Sequence, residues 1–137
     1  MKKGFTLVEM LAIIVILGVL GTIVVVTFNN TQNKAKQKLY AEQLNNIEIA
    51  LRRYITENEG RTIDIYGTST KLDIFTDNNS FNIPISFLVQ EEYLKELPVN
   101  PTCGKQINGY YQIYVETPGT YNLTYYMSNT EETFCKV

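Results

Sequence analysis

Residues 1–28 read MKKGFTLVEMLAIIVILGVLGTIVVVTF, and their pattern governs how the rest of the chain is read. Two lysines and a glycine lead an apolar run from Phe5 to Phe28 that holds a single charge, Glu9. As a helix rising ~1.5 Å per residue the run is about 36 Å long. A bilayer's hydrocarbon core is about 30 Å thick, so the run is long enough to span a membrane with some tilt. It exceeds the apolar segment of an ordinary signal peptide, and Val19-Leu20-Gly21, the nearest imitation of a small-x-small cleavage site, lies inside it. No cysteine sits there to carry a lipid anchor.

Glu9 is the exception that needs a reason. A carboxylate deep in an apolar helix costs several kcal/mol unless something compensates it. A cut after Gly4 makes Phe5 the new N-terminus and Glu9 the fifth residue of the shortened chain. The charge then lies near the positive end of the helix dipole and within reach of the α-amine of a neighbouring copy. Such an arrangement suits many helices packed together and not one alone.

The stretch Lys2-Lys3-Gly4-Phe5-Thr6-Leu7-Val8-Glu9 resembles the class III signal of type IV prepilins and pseudopilins. The resemblance implies a membrane peptidase that cuts after Gly4 and methylates Phe5, with Glu9 pairing with a neighbour's amine during assembly. One family feature is missing, because no proline interrupts the helix between Phe5 and Asn58. Gly18, Gly21 and the β-branched run Thr22–Thr27 either loosen the helix locally or allow close helix packing, and both readings stand. Lys2 and Lys3 before the span are balanced by Lys34, Lys36 and Lys38 after it, so the lysine count leaves the orientation open. The motif places the N-terminus in the cytoplasm.

Beyond Phe28, ten basic residues face thirteen acidic ones, which argues against a nucleic-acid-binding surface over the whole domain. The chain has no histidine, which removes the commonest general base and the commonest metal ligand together. No Gly-rich phosphate loop follows a strand, and no paired carboxylates stand in a recognisable frame. The chain therefore reads as no enzyme, and no cofactor is expected. For a domain exported beyond the membrane, the even pair Cys103 and Cys135 reads as a disulfide, with free thiols as the alternative. The resemblance implies the same, a late cysteine pair stapling a C-terminal loop to the sheet.

Asn29 to Asn58 holds neither proline nor glycine, so the helix is expected to run from Phe5 to Asn58 and stop at Gly60. Tyr40, Leu44, Ile47, Leu51 and Tyr54 form its apolar stripe, Ile49 lies off it, and Glu48–Arg52 is a favourable i,i+4 pair. Residues 61–82 read as loop with short strands at Ile63–Tyr66 and Lys71–Phe75, and Asp73, Asp77, Asn78 and Asn79 as a solvated turn that lacks EF-hand spacing. Ile85–Leu94 reads as a short helix after Pro84, ended by Pro98 and Pro101. The stretch YLKELPVNP is similar to one that recurs in pseudopilins and in pilins of Gram-positive bacteria. The last third predicts an antiparallel meander of Tyr110–Glu116, Tyr121–Met127 and Thr133–Lys136. Tyr111, Ile113, Val115, Leu123, Tyr125 and Met127 face inward, with Tyr110, Tyr114 and Tyr126 outward as cross-strand pairs, a binding or subunit-contact surface being the alternative.

The expected fold is α+β and type IV pilin-like: a long N-terminal helix, its first half membrane-spanning, on a small antiparallel sheet. Residues 1–4 form the leader, 5–28 the membrane and assembly half of the helix and 29–59 its amphipathic half. Residues 60–137 hold the αβ-loop, the sheet and the disulfide region, so that 29–137 make one headgroup. The resemblance implies a filament subunit whose partners are copies of itself, the prepilin peptidase, the assembly machinery and the cytoplasmic membrane, ending in a cell-surface filament. The alternatives are a pseudopilin of secretion or DNA uptake, or a scarce adhesive tip subunit in which Arg52, Arg53 and Arg61 make a small phosphate-contacting patch.

Overall fold

The computed structural model describes residues 4–135, with side chains for all of these but Val26. Lys2, Lys3 and Lys136 lie outside that range. The chain divides into two compact units, residues 1–37 and residues 38–137. The class is α+β, with a long N-terminal helix and small antiparallel sheets, as expected.

Helix α1 runs Leu7–Asn58 without a break, because neither proline nor glycine interrupts it beyond Gly21. In the first unit every described side chain from Gly4 to Gln37 is exposed. One 18-residue window of α1 has a mean hydropathy of 2.9, so the helix is long and apolar enough to cross a membrane.

In the second unit the expected stripe is buried: Ile47, Leu51, Tyr54 and Ile55 form the helix's part of the core, with Tyr40 and Leu44 half-buried beside them. Ile49 is exposed, as its place off the stripe requires. The Glu48–Arg52 pair does not form, because Arg52 lies over the Tyr121 ring at 5.3 Å, and the ion pair on the helix is Arg53–Glu57 at 2.8 Å. Gly60, at φ +75°, ends the helix and donates its N–H to the Leu72 carbonyl.

Strands β1 (Thr62–Ile65) and β2 (Thr68–Lys71) form a two-stranded hairpin. The second strand begins three residues earlier than predicted. Tyr66 and Gly67, both at positive φ, close a two-residue turn that sends the chain straight back, and the Asp64 carboxylate accepts the Gly67 N–H. The main sheet has the order β3-β4-β5, all antiparallel, from Ser80–Pro84, Tyr110–Thr117 and Thr120–Tyr126. The first of these strands occupies a stretch expected to be loop as far as Asn82. Its short alternation, Phe81 and Ile83 in and Ser80 and Asn82 out, pairs with β4.

Helix α2 (Ile85–Gln90) starts after Pro84 as expected but ends four residues early, where Glu92 adopts φ +61°. The predicted third strand at 133–136 is instead helix α3, Asn129–Phe134. Ser128 caps it by accepting the Glu131 N–H, and this local bond outweighs the strand-like composition of Thr133 to Cys135. Tyr111, Ile113 and Val115 are buried against the core, with Leu123 and Tyr125 half-buried. Met127 is exposed, contrary to expectation, because β5 stops at Tyr126.

Candidate functional site

Gly4, Phe5 and Thr6 precede α1 and are exposed, Phe5 to 70 %. Thr6 is the cap. Its carbonyl accepts the Met10 N–H at 3.2 Å, the first helical bond. Glu9 answers from one turn on: its carboxylate accepts the Thr6 N–H at 2.8 Å and the Thr6 hydroxyl at 2.9 Å, while the Glu9 N–H donates to Thr6 Oγ1 at 3.3 Å. This is a capping box, which satisfies donors that a helix start otherwise leaves orphaned. The pattern Thr6-x-x-Glu9 was legible, but reading Glu9 only as a charge in search of a distant cation missed its neighbour. The structure thus places Gly4 and Phe5 outside the helix, and Glu9 in its first turn.

Residues 1–25 match the prokaryotic N-terminal methylation motif. That motif is the class III signal peptide of type IV pilins and supports a precursor of pilin or pseudopilin type. With the apolar helix behind it, the motif fits a membrane-anchored precursor. No curated protein and no solved structure matches the chain.

Outside the methylation motif, Cys103 and Cys135 are joined by a disulfide with their Cα atoms 5.2 Å apart. The segment it closes is organised around a residue that sequence reasoning passed over, the fully buried Glu131. Its carboxylate accepts hydrogen bonds from the hydroxyls of Tyr125 and Tyr40 and from the Asn100 amide. Asn100, itself 1 % exposed, accepts the Thr102 N–H and hydroxyl and so shapes the turn before Cys103. Burial, seconded by Glu131, pushes the Tyr40 phenol up to about 12 and raises Tyr125 as well. The signal was again a capping pattern, Ser128-x-x-Glu131.

The remaining candidates fall into local structure. Asp73 accepts the Phe75 N–H and the Thr76 hydroxyl, and these bonds hold its carboxyl below the usual aspartate range. Asn78 Oδ1 accepts the Tyr114 hydroxyl, and the Asn79 side-chain amide donates to the Asp73 backbone carbonyl, so the cluster is a hydrogen-bonded turn. Of the three arginines, Arg52 covers Tyr121, Arg53 pairs with Glu57, and Arg61 lines a cleft of about 650 Å³ together with Asp64 and Glu91.

Proposed function

We propose that the chain is a structural subunit of a type IV pilus. Made as a precursor in the cytoplasmic membrane with its N-terminus in the cytoplasm, it is cut between Gly4 and Phe5 by a prepilin peptidase, methylated on Phe5 and drawn into a helical polymer. The observation that carries this reading is the place of Glu9. It is the one charge in an exposed apolar helix segment, at the fifth position counted from Phe5. A lone exposed helix of this kind gains by packing against copies of itself, and head-to-tail contacts that do not close give open filaments. The disulfide suits a domain that leaves the reducing cytoplasm.

Intact mass and N-terminal sequencing of the protein from its native membrane or filament fraction test the reading. The expected product begins at N-methylated Phe5 and lacks the two thiol hydrogens. A chain that still begins at Met1 in cells with an active prepilin peptidase would overturn it.

A further inference from the structure

The outward face of the main sheet differs in chemistry from the rest of the surface. Its three strand-to-strand rows are Pro84–Tyr110–Tyr126, Asn82–Gln112–Thr124 and Ser80–Tyr114–Asn122. None of these nine positions is charged, in a chain where 19 % of residues are, and the charge on the face lies at its far end, where the Glu116 carboxylate accepts the Asn122 amide at 2.6 Å. Tyr110 and Tyr126 stack at 5.1 Å between centroids and 11° between planes, a cross-strand aromatic pair that leaves the face of each ring turned away from its partner free of the other ring. The Tyr126 hydroxyl of the pair donates to Gln112 at 3.3 Å, and further along the face the Tyr114 hydroxyl donates to the Asn78 side chain at 2.9 Å.

Tyr110 is also one wall of a cleft of about 520 Å³ at the end of the sheet. That volume lies within the ~300–1,000 Å³ typical of small-molecule sites. Asn82, Ser86, Asn108, Asn129 and Met127 line it with Tyr110, and no Asp, Glu, Lys or Arg does. Among the described residues, none of the three asparagine side-chain amides has a hydrogen-bond partner in the chain. Three amides without a partner in the chain and one tyrosine ring stacked on its neighbour therefore line one cleft that has no charged residue in its wall.

From this juxtaposition we infer that the cleft and the adjoining Tyr110–Tyr126 pair bind a neutral oligosaccharide. A pyranose presents hydroxyls around its edge and C–H groups on its face. The asparagine amides supply both donors and acceptors for the hydroxyls. The electron-rich face of a tyrosine ring attracts the slightly positive C–H groups. Charge complementarity selects among ligands: an anionic or cationic group entering here would lose its hydration and meet no counter-charge. A ring stacked on its neighbour, as Tyr110 is on Tyr126, loses less freedom on binding than an unpacked one.

The test uses the full-length protein in lipid nanodiscs, free of sugar-headed detergent, against a printed array of neutral glycans. Maltotriose, cellotriose and chitotriose serve as solution probes, with heparin tetrasaccharide as the charged control. Expected is saturable binding of at least one neutral probe with Kd in about the micromolar to millimolar range, and no comparable binding of the heparin fragment. Tyr110→Ala and Asn129→Asp, both at exposed positions, should each weaken binding roughly tenfold or more, while Tyr110→Phe, which keeps the ring, restores it. Circular dichroism and an intact disulfide control for folding. Absence of any neutral binder, equal binding of the charged control, or affinity unmoved by Tyr110→Ala and Asn129→Asp overturns the inference. So does a Tyr110→Ala variant that loses filament yield while glycan affinity stays, since the face would then be a contact between copies of the chain.

Discussion

At the scale of single residues, Glu9 carries two separable properties, an acceptor for the Thr6 donors and a negative charge. Glutamine at the same place keeps the acceptor, because either residue closes a capping box. If assembly needs the charge, Glu9→Gln should insert and be processed normally yet assemble as poorly as Glu9→Ala, measured as filament yield. A Glu9→Gln protein that assembles like wild type would assign the role to the cap. Glu131 is the other decisive carboxylate, fully buried beneath two tyrosine hydroxyls and the Asn100 amide. Its removal in Glu131→Ala leaves the buried Asn100 amide and two half-buried tyrosine hydroxyls unpaired and should cost about 3 kcal/mol by denaturant unfolding, whereas Glu131→Gln costs less. The tyrosines around it set an alkaline limit. Tyr40, at about 12, and Tyr125 hold their protons more tightly folded than unfolded, so the stability they contribute is complete below the ordinary tyrosine pKa of about 10. It falls as pH rises from there through the folded values. Unfolding free energies measured from about pH 9 to about pH 12 should decline less steeply in Tyr125→Phe than in wild type.

At the scale of elements, the sheet depends on one close approach that no side chain tolerates. A Cβ on Gly109 would lie 2.0 Å from the Tyr126 carbonyl oxygen and 2.7 Å from the Tyr125 ring, both at the end of β5 where it pairs with the start of β4. The Gly109 carbonyl also accepts the Ile85 N–H, which fastens α2 to the same point. Gly109→Ala should therefore destabilise by about 1–3 kcal/mol, as overpacking does, with the loss visible in the near-ultraviolet signal of the tyrosines. Gly60, with nothing near its Cβ direction, constrains through its backbone instead, since φ +75° suits glycine at a helix end. The two helices that sequence composition misjudged were both settled by short-range backbone events. Positive φ at Glu92 shortened α2, and the Ser128 cap turned the expected last strand into α3.

At the scale of the whole molecule, the disulfide ties two loop ends across a sequence separation of 32 residues. Closing a loop of that size restricts the unfolded chain by roughly 3–4 kcal/mol on the chain-entropy model. Replacement of both cysteines by serine should lower unfolding stability by about that amount and make the region from Asn100 to Glu131 the first to gain hydrogen exchange. An unchanged stability would mean that the Glu131 network alone holds the C-terminal segment in place.

What the sequence by itself determined about this protein lies where neighbouring residues suffice. The apolar run and the methylation motif over residues 1–25 are patterns of neighbouring residues, and for the α1 stripe from Tyr40 to Tyr54 and the alternation of β4 and β5 burial follows spacing. The tertiary structure alone decided what depends on distant partners. Strand β3 is a strand because β4 lies beside it, since five residues with two apolar ones carry too little periodic signal. Glu131 became a buried hub because Tyr40 and Asn100, far off in sequence, converge on it with Tyr125. The uncharged cleft beside Tyr110 exists because α2, the start of β4 and the start of α3 meet at one end of the sheet. A spacing pattern specifies which face is buried, and only the packed chain specifies what that face meets.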